Sequence, residues 1–541
     1  MKATAAIANW AWLASCTPAW MRFLHALKRP GGTQQGILQR LLRDNAATAY
    51  GRAHDFADIR SCEAFRDRVP IVDYDALEPW IGRIMRGEES VLTREKVTRL
   101  VPTAGSTGAR KLIPFTLSLQ REFNAAIGPW MADLCRADPS VPLGPAYWSI
   151  SPSMQPVGCE DSAVPIGFDD DSAYLGGVRR RLVEATFAAP SALRSITDPE
   201  AFRYATLLCL LRQPDLRLVS VWHPSFLTLL LDALPAWWKE LLEDVASGDC
   251  RRAPAEVRHA LRGPPQPHRL QALHQANPAD AHSLFPQLRV VSCWGDAQAA
   301  LPMADLQRRL PKVTMQAKGL LATEAFVSIP FQQFHPLAVT SHFFEFADER
   351  GAVRLAHELR RGELYNLVVT TAGGLWRYRL GDIVEVDGFV AETPSLRFLG
   401  RGSSASDLCG EKLTEVFVTR AIATACSACG YAPAFAMLAP ERDAVGRWNY
   451  TLFLGDDAPA SLLPALEAEL RSNPHYALCR DLGQLGPLRR FISTGANDDF
   501  IFKDGVSQGR LPGGIKPQSL STRTDWRECF AGAGGNGGHS R

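Results

Sequence analysis

The sequence predicts an α/β protein: a large N-terminal domain of mixed sheets and helices, followed by a small, mobile α+β domain. Three observations carry that expectation. Strand-like and helix-like runs alternate through the middle of the chain. The texture turns to strands between Thr340 and Val390. A run of small residues, Gly400-Arg-Gly-Ser-Ser404, then interrupts the pattern. The small residues suit a hinge, so the expected division is 1–402 and 403–541, with a Gly-rich disordered tail from about 531.

The elements follow in order. Residues 1 to about 75 read as helices with polar turns; apolar residues recur at helical spacing from Gly36 to Asn45. Leu216–Trp222 reads as a strand, and Pro224-Ser225 opens an apolar helix over Phe226–Leu234. Leu288–Cys293 is a second strand, followed by a helix over Met303–Leu310 and a strand over Lys312–Lys318. Leu364–Thr371 and Leu375–Val386 flank Ala372-Gly373-Gly374, a hairpin signal.

Composition excludes several classes. Lys and Arg number 59 against 57 Asp and Glu, a net charge of +2, and no basic run stands out. A nucleic-acid coat or a basic membrane adaptor is therefore not expected. The 12 cysteines are scattered over a chain of 541 residues, which is no disulfide framework. Cys426 and Cys429 form the one tight pair; no second pair at zinc spacing accompanies them, and they read as helix residues before Gly430. Leu13-Ala-Ser-Cys16 looks like a lipoprotein cleavage box, but a single Lys and an apolar run broken by Asn9 and two Trp read as an amphipathic first helix. No stretch has the length of a membrane span, and reduced thiols fit a cytoplasmic location.

Five motifs carry chemistry. In Pro102-Thr-Ala-Gly-Ser106-Thr107-Gly-Ala-Arg-Lys-Leu-Ile-Pro114, backbone N–H groups and the two hydroxyls can cradle phosphate oxygens, with Arg110 and Lys111 near. It is not a Walker loop, because Lys111 lies three after Gly108 and precedes Leu112. In Gly319-Leu-Leu-Ala-Thr323-Glu324, Thr323 can bind phosphate and Glu324 can hold Mg²⁺; the same pair also suits a helix N-terminus. In Leu375-Trp-Arg-Tyr-Arg-Leu-Gly-Asp382, strand alternation puts Arg377, Arg379 and Gly381 on one face. Asp382 follows as the chain turns, where it can accept from a ribose diol. The last two are Phe398-Leu-Gly-Arg401 with Gly410-Glu-Lys412-Leu-Thr-Glu415, where a helix begins, and Leu511-Pro-Gly-Gly-Ile-Lys516-Pro.

The order and spacing of this set resemble the adenylate-forming superfamily of acyl-CoA synthetases, adenylation domains and luciferases. Within it the chain is similar to the Gretchen Hagen acyl acid–amido synthetases, auxin- and jasmonate-conjugating plant enzymes with bacterial members. The resemblance runs from Thr48-Ala-Tyr-Gly-Arg-Ala-His-Asp-Phe56 to Lys516. It is most specific in Val369-Thr-Thr-Ala-Gly-Gly-Leu-Trp-Arg-Tyr-Arg-Leu-Gly-Asp-Ile-Val384 and Ala317-Lys-Gly-Leu-Leu-Ala-Thr-Glu324.

The resemblance implies an adenylate-forming N-terminal domain that uses ATP and Mg²⁺ to adenylate a carboxylic acid. The acyl group then passes to an amine, an amino acid by analogy. It implies Ser106 and Thr107 at phosphate, Thr323 and Glu324 at nucleotide and metal, Asp382 at ribose, and Arg401 before the hinge. Lys412 and Lys516 would act from the mobile domain. Ala104 replaces a frequent Ser, and Ser403 or Ser404 stands where the superfamily's hinge Asp or Lys is expected. Phe123, Ile127, Trp130 and Trp222 are candidate acyl-pocket walls, or plain core. The rival readings are a coenzyme A ligase using the same first half-reaction and an inactive nucleotide-binding homologue.

Overall fold

The computed structural model describes residues 2–103, 111–149, 162–167, 182, 184–401, 405–443, 446–493 and 518–533. Contacts divide the chain into two units. The first holds residues 1–220, 236–292 and 316–398; the second holds 221–235, 293–315 and 399–541.

A four-stranded sheet runs Ala146–Trp148, Leu218–Ser220, Val290–Trp294, Thr314–Lys318, with the first three strands mutually parallel. The last three are the strand runs read from the sequence, each beginning two residues later than expected; Ala146–Trp148 was not read from it. The long helix Pro224–Ser247 follows the second strand and continues past Pro235, well beyond the expected Leu234. The helix expected at Met303–Leu310 is observed at Ala300–Arg309.

A five-stranded sheet orders Thr393–Arg401, Tyr378–Val390, Leu364–Thr370, Phe343–Ala347 and Val353–Leu355. Phe343, Phe346, Leu367, Val369 and Tyr378 of this sheet, and Trp376 just before its second strand, are buried in one extensive core cluster with Leu77, Ile81 and Phe65 from the N-terminal helices. The helix Pro30–Asn45 contributes Ile37, Leu38, Leu41 and Leu42 to that cluster, at the predicted helical spacing.

The first helix, Lys2–Ala26, lies along Leu117–Ala137. The two approach closely at Gly128, where an added Cβ would sit 2.9 Å from Ala19 Cβ. Cys16 is buried in this contact layer rather than displayed. Among the described residues, no helix is long and apolar enough to cross a membrane.

The second unit contains the antiparallel pair Ala436–Arg442 and Trp448–Leu454, with Arg489–Ile492 added in parallel. The helix Glu415–Ala428 is capped by the Thr414 side chain, which accepts from Phe417 N–H at 3.3 Å. It packs Val418, Ile422 and Cys426 with Leu452, Leu466 and Tyr450. Cys429 is its C-cap and Gly430 takes a left-handed φ of 59°, as the sequence implied. Every described cysteine is free. The helix Trp526–Ala533 takes in the first residues that composition had given to the tail; Trp526 stacks on Phe530, which packs edge-on against Phe435 and tilted against Phe453.

Candidate active site

The phosphate-loop motif rides on a two-stranded antiparallel ladder, Arg99–Pro102 with Leu112–Phe115. Thr103 N–H donates to Lys111 O at 2.9 Å, so the two ends of the loop are held side by side. Ser106 and Thr107 lie outside the described residues, as do Lys516 and the small residues 402–404.

Thr323 and Glu324 occupy the tip of a tight turn, not the start of a helix. Leu321 and Phe326 bridge antiparallel across it, and Ala322 N–H donates to Ala325 O at 2.9 Å. Gly319 is required at its base, because a Cβ there would lie 2.3 Å from Ser328 O. Glu324 is buried.

Asp382 is also buried, at 1% exposure. It does not follow a chain turn, as the sequence suggested. It sits inside the strand Tyr378–Val390, where the pairing register slips between Arg379 and Ile383 and Gly381 takes φ 79°. A bulge of this kind re-aims one side chain without ending the strand. The expected alternation of Arg377, Arg379 and Gly381 fails for a related reason. Arg377 precedes the strand with φ 46° and is buried, whereas Arg379 is exposed. The Arg377 guanidinium donates to both oxygens of Glu345, at 2.8 and 3.2 Å, and to Val69 O at 2.7 Å. It is a structural cation.

Helix Leu117–Ala137 gathers these pieces of the first unit. Thr116 caps it and donates to Ala372 O at 3.0 Å. Gly373 packs so tightly against the ladder that a Cβ would lie 2.8 Å from Pro114 O. Glu122, 4% exposed, accepts at Oε2 from Ala372 N–H (2.9 Å) and pairs with His342 Nδ1 (2.8 Å). His342 Nε2 lies 3.2 Å from Phe326 N, two residues beyond Glu324. The ladder bearing the phosphate loop, the Thr323–Glu324 turn and the turn leading to the Asp382 strand are thus tied to one helix. Glu122 and His342 escaped the sequence reading, since a helical Glu and a lone His carry no local signal.

Lys318 ends its strand fully inside the protein. Its Nζ donates to Ser220 Oγ at 2.7 Å and Ser292 Oγ at 3.4 Å and lies 5.2 Å from the centre of the Trp130 ring. Hydroxyls and an aromatic face offset the cost of burying the ammonium. The C-terminal ends of parallel strands are where such sheets bind ligands. Among the candidate acyl walls, Phe123 belongs to a cluster with Val101, Phe115 and Leu119, and Trp130 donates to Gln316 Oε1 at 2.9 Å. A polar cavity of about 600 Å³ is lined by Arg40, Asp44, Glu95, Arg121, Glu122 and Thr340, and Ala372 of the Val369–Val384 motif reaches its wall.

In the second unit, Arg401 ends the strand Thr393–Arg401, half-buried, and Lys412 is exposed with φ 48°. Next to Lys412, the buried carboxylate of Glu411 accepts from Leu408 N–H, Cys409 N–H and the Tyr450 hydroxyl. Burial, and then the Glu411 carboxylate, raise the Tyr450 phenol above its ordinary value. Trp222 lies 5.7 Å from Trp294, ring to ring. Its neighbour His223 is held neutral: burial lowers its pKa from 6.5 to about 4, and Nδ1 lies 2.6 Å from Ser225 Oγ.

The architecture is that of the adenylate-forming ligases. A solved 2-hydroxyisobutyryl-CoA ligase in its postadenylation state superposes with a TM-score of 0.52 at 12% identity, covering 92% of this chain and 90% of that one. A second solved structure, AtGH3.15 acyl acid amido synthetase in complex with 2,4-DB, reaches 0.84 at 18% identity over 96% of each chain. Residues 19–315 match the GH3 family N-terminal domain and residues 335–401 the GH3 family central domain, so the chain belongs to the GH3 family. A relative from Oryza sativa subsp. japonica, named "Probable indole-3-acetic acid-amido synthetase GH3.12", is 27% identical over 444 residues, 71% of each chain.

Proposed function

We propose that this chain is an ATP-dependent acyl acid–amido synthetase. It adenylates a carboxylic acid and passes the acyl group to the amino group of a small molecule, an amino acid on the family's precedent. The observation that carries this is the attachment of three nucleotide motifs, hundreds of residues apart, to the single helix Leu117–Ala137 in a chain of the GH3 family.

In the first half-reaction, a carboxylate oxygen attacks the α-phosphorus of ATP and pyrophosphate leaves. Charge neutralisation and in-line positioning dominate such a step. Ser106 and Thr107 take the phosphates, Thr323 assists them, and Asp382 accepts from the ribose hydroxyls. Arg401 closes on the nucleotide from before the hinge. Glu324 suits Mg²⁺: it is one buried carboxylate on a rigid turn, and the described residues contain no group of three or more metal-binding side chains. A single carboxylate with phosphate oxygens is how Mg²⁺ is ordinarily held, and the ion supplies positive charge against the triphosphate. In the second half-reaction, the neutral amine attacks the acyl carbon, AMP leaves, and the amine loses a proton.

Residues 403–541 act as a mobile domain hinged near 402 and bring Lys516 and Lys412 to the nucleotide in turn. The reaction needs an ATP-containing compartment, which supports a cytoplasmic location as the working reading.

ATP–pyrophosphate exchange across aryl, indole and fatty acids tests the first half-reaction, with indole-3-acetic acid included on the precedent of the rice relative's name. Acid-dependent exchange is expected; exchange with none of them would remove the proposal. Product analysis with amino acids, hydroxylamine and coenzyme A in competition tests the second half. Thioester as the sole product would instead establish a coenzyme A ligase.

A further inference from the structure

We propose that Glu122 and His342 are positioning residues of the adenylation site, which act through the Thr323–Glu324 turn and the Ala372 turn. The assignment rests on the reading of those turns as nucleotide-binding.

The hydrogen-bond pattern fixes the chemistry. Phe326 N–H can only donate, so His342 Nε2, 3.2 Å away, is the acceptor. Nδ1 then carries the proton and donates to Glu122 Oε2 at 2.8 Å. The same oxygen accepts from Ala372 N–H at 2.9 Å. One carboxylate oxygen therefore ties together segments 220 and 250 residues away in sequence. The imidazole passes that restraint on to the turn bearing Glu324.

The ring cannot tilt away from this arrangement. His342 is 0% exposed, and its ring meets Phe123 at 5.7 Å and 89° and Phe344 at 5.8 Å and 83°. Gln34 Nε2 donates to His342 O at 2.8 Å and holds the backbone below. On the other side, Arg40 Nη2 lies 3.7 Å from Glu122 Oε1, across the polar cavity. The carboxylate is thus kept charged-paired at one oxygen and used as a double acceptor at the other. A carboxylate in a helix that merely packed would have no need to reach two separate turns.

Two near-isosteres of His342 separate positioning from packing. His342→Gln keeps an acceptor near the Nε2 position and loses the Glu122 bond. His342→Asn keeps a donor near the Nδ1 position and loses the Phe326 bond. ATP–pyrophosphate exchange gives KM for ATP, KM for the acid, and kcat. Hydrogen exchange of peptides spanning 319–328 reports the turn directly, with or without turnover.

The expected result is that His342→Asn raises KM for ATP about tenfold or more, leaves KM for the acid unchanged, and speeds exchange at 319–328. His342→Gln, which keeps the Phe326 acceptor but loses the Glu122 restraint, should raise KM for ATP less than His342→Asn does. Glu122→Ala should resemble His342→Asn. Should it fail to fold, the Asn and Gln pair carries the comparison. Equal effects on both substrates, or unchanged exchange at 319–328 in His342→Asn, would overturn the assignment. If the parent protein showed no acid-dependent turnover, the functional reading would fall, and the hydrogen-exchange comparison would still decide whether His342 holds the turn.

Discussion

Glu345 accepts from Arg377 with both carboxylate oxygens, at 2.8 and 3.2 Å, and one of those oxygens also takes Arg66 Nε at 2.9 Å. Glu345 and Arg377 are buried, so this carboxylate neutralises a cation that water hardly reaches, while Arg66 remains partly exposed. Removing it would strand the Arg377 charge in the core. Glu345→Ala should lower unfolding free energy by about 3–5 kcal/mol, read from the urea midpoint. A loss under about 1 kcal/mol would show that the guanidinium finds other partners.

Gly319 lies where the chain enters the Thr323–Glu324 turn. An added Cβ would come within 2.3 Å of Ser328 O and 2.8 Å of Ile329 N, both backbone atoms. Gly319→Ala must push the two arms of the turn apart. Stability should fall by about 1–3 kcal/mol, and KM for ATP should rise more than KM for the acid. A variant with unaltered ATP affinity would separate the turn from the nucleotide.

Asp382 is placed by a bulge and is fully buried. With a ribose diol as its partner, Asp382→Asn exchanges two charge-assisted bonds for weaker ones. A rise of about 10–100-fold in KM for ATP is expected. Deoxy-ATP should lose most of its disadvantage in the variant. Equal discrimination in parent and variant would argue that another residue reads the sugar.

Lys516 should matter to one half-reaction more than the other. Lys516→Ala is expected to slow ATP–pyrophosphate exchange more than amide formation from preformed acyl-adenylate. Equal losses would count against a role specific to adenylation.

His223 makes acid stability measurable. Burial lowers its folded pKa from 6.5 to about 4. Between those values the unfolded chain takes a proton that the folded chain refuses. The contribution is therefore fully present above pH 6.5 and is lost as pH falls toward 4, at about 1.4 kcal/mol per pH unit. His223→Gln should flatten the stability profile in that window. An unchanged slope would mean that other groups dominate it.

Much of the fold was legible because parallel strands announce themselves. Val290, Val291 and their flanking helices are visible in the pattern, as is the hairpin around Gly373. Thr323, Glu324 and Asp382 could be singled out as candidates because short polar motifs interrupt apolar runs. Their geometry was not legible. Alternation grouped Arg377 with Arg379, but a left-handed φ of 46° at Arg377 breaks the period. Asp382 was assigned to a turn because Gly381 resembles a turn residue, whereas a bulge uses the same glycine conformation. The Glu122–His342 link has no signature in the sequence at all, since its partners are 220 residues apart and only folding makes them neighbours.

Glu411 gives Lys412 an unusual footing. The carboxylate next to that lysine is anchored by two amides and a phenol of its own unit. Lys412 therefore stands on a stiff bracket: its ammonium can swing on its own methylenes, but its backbone is not free to wander. Under the proposal that Lys412 reaches the nucleotide from a mobile domain, the lysine would arrive together with its bracket rather than by a backbone excursion of its own. Loosening Glu411 should thus widen the range of positions the Lys412 backbone takes within its own unit.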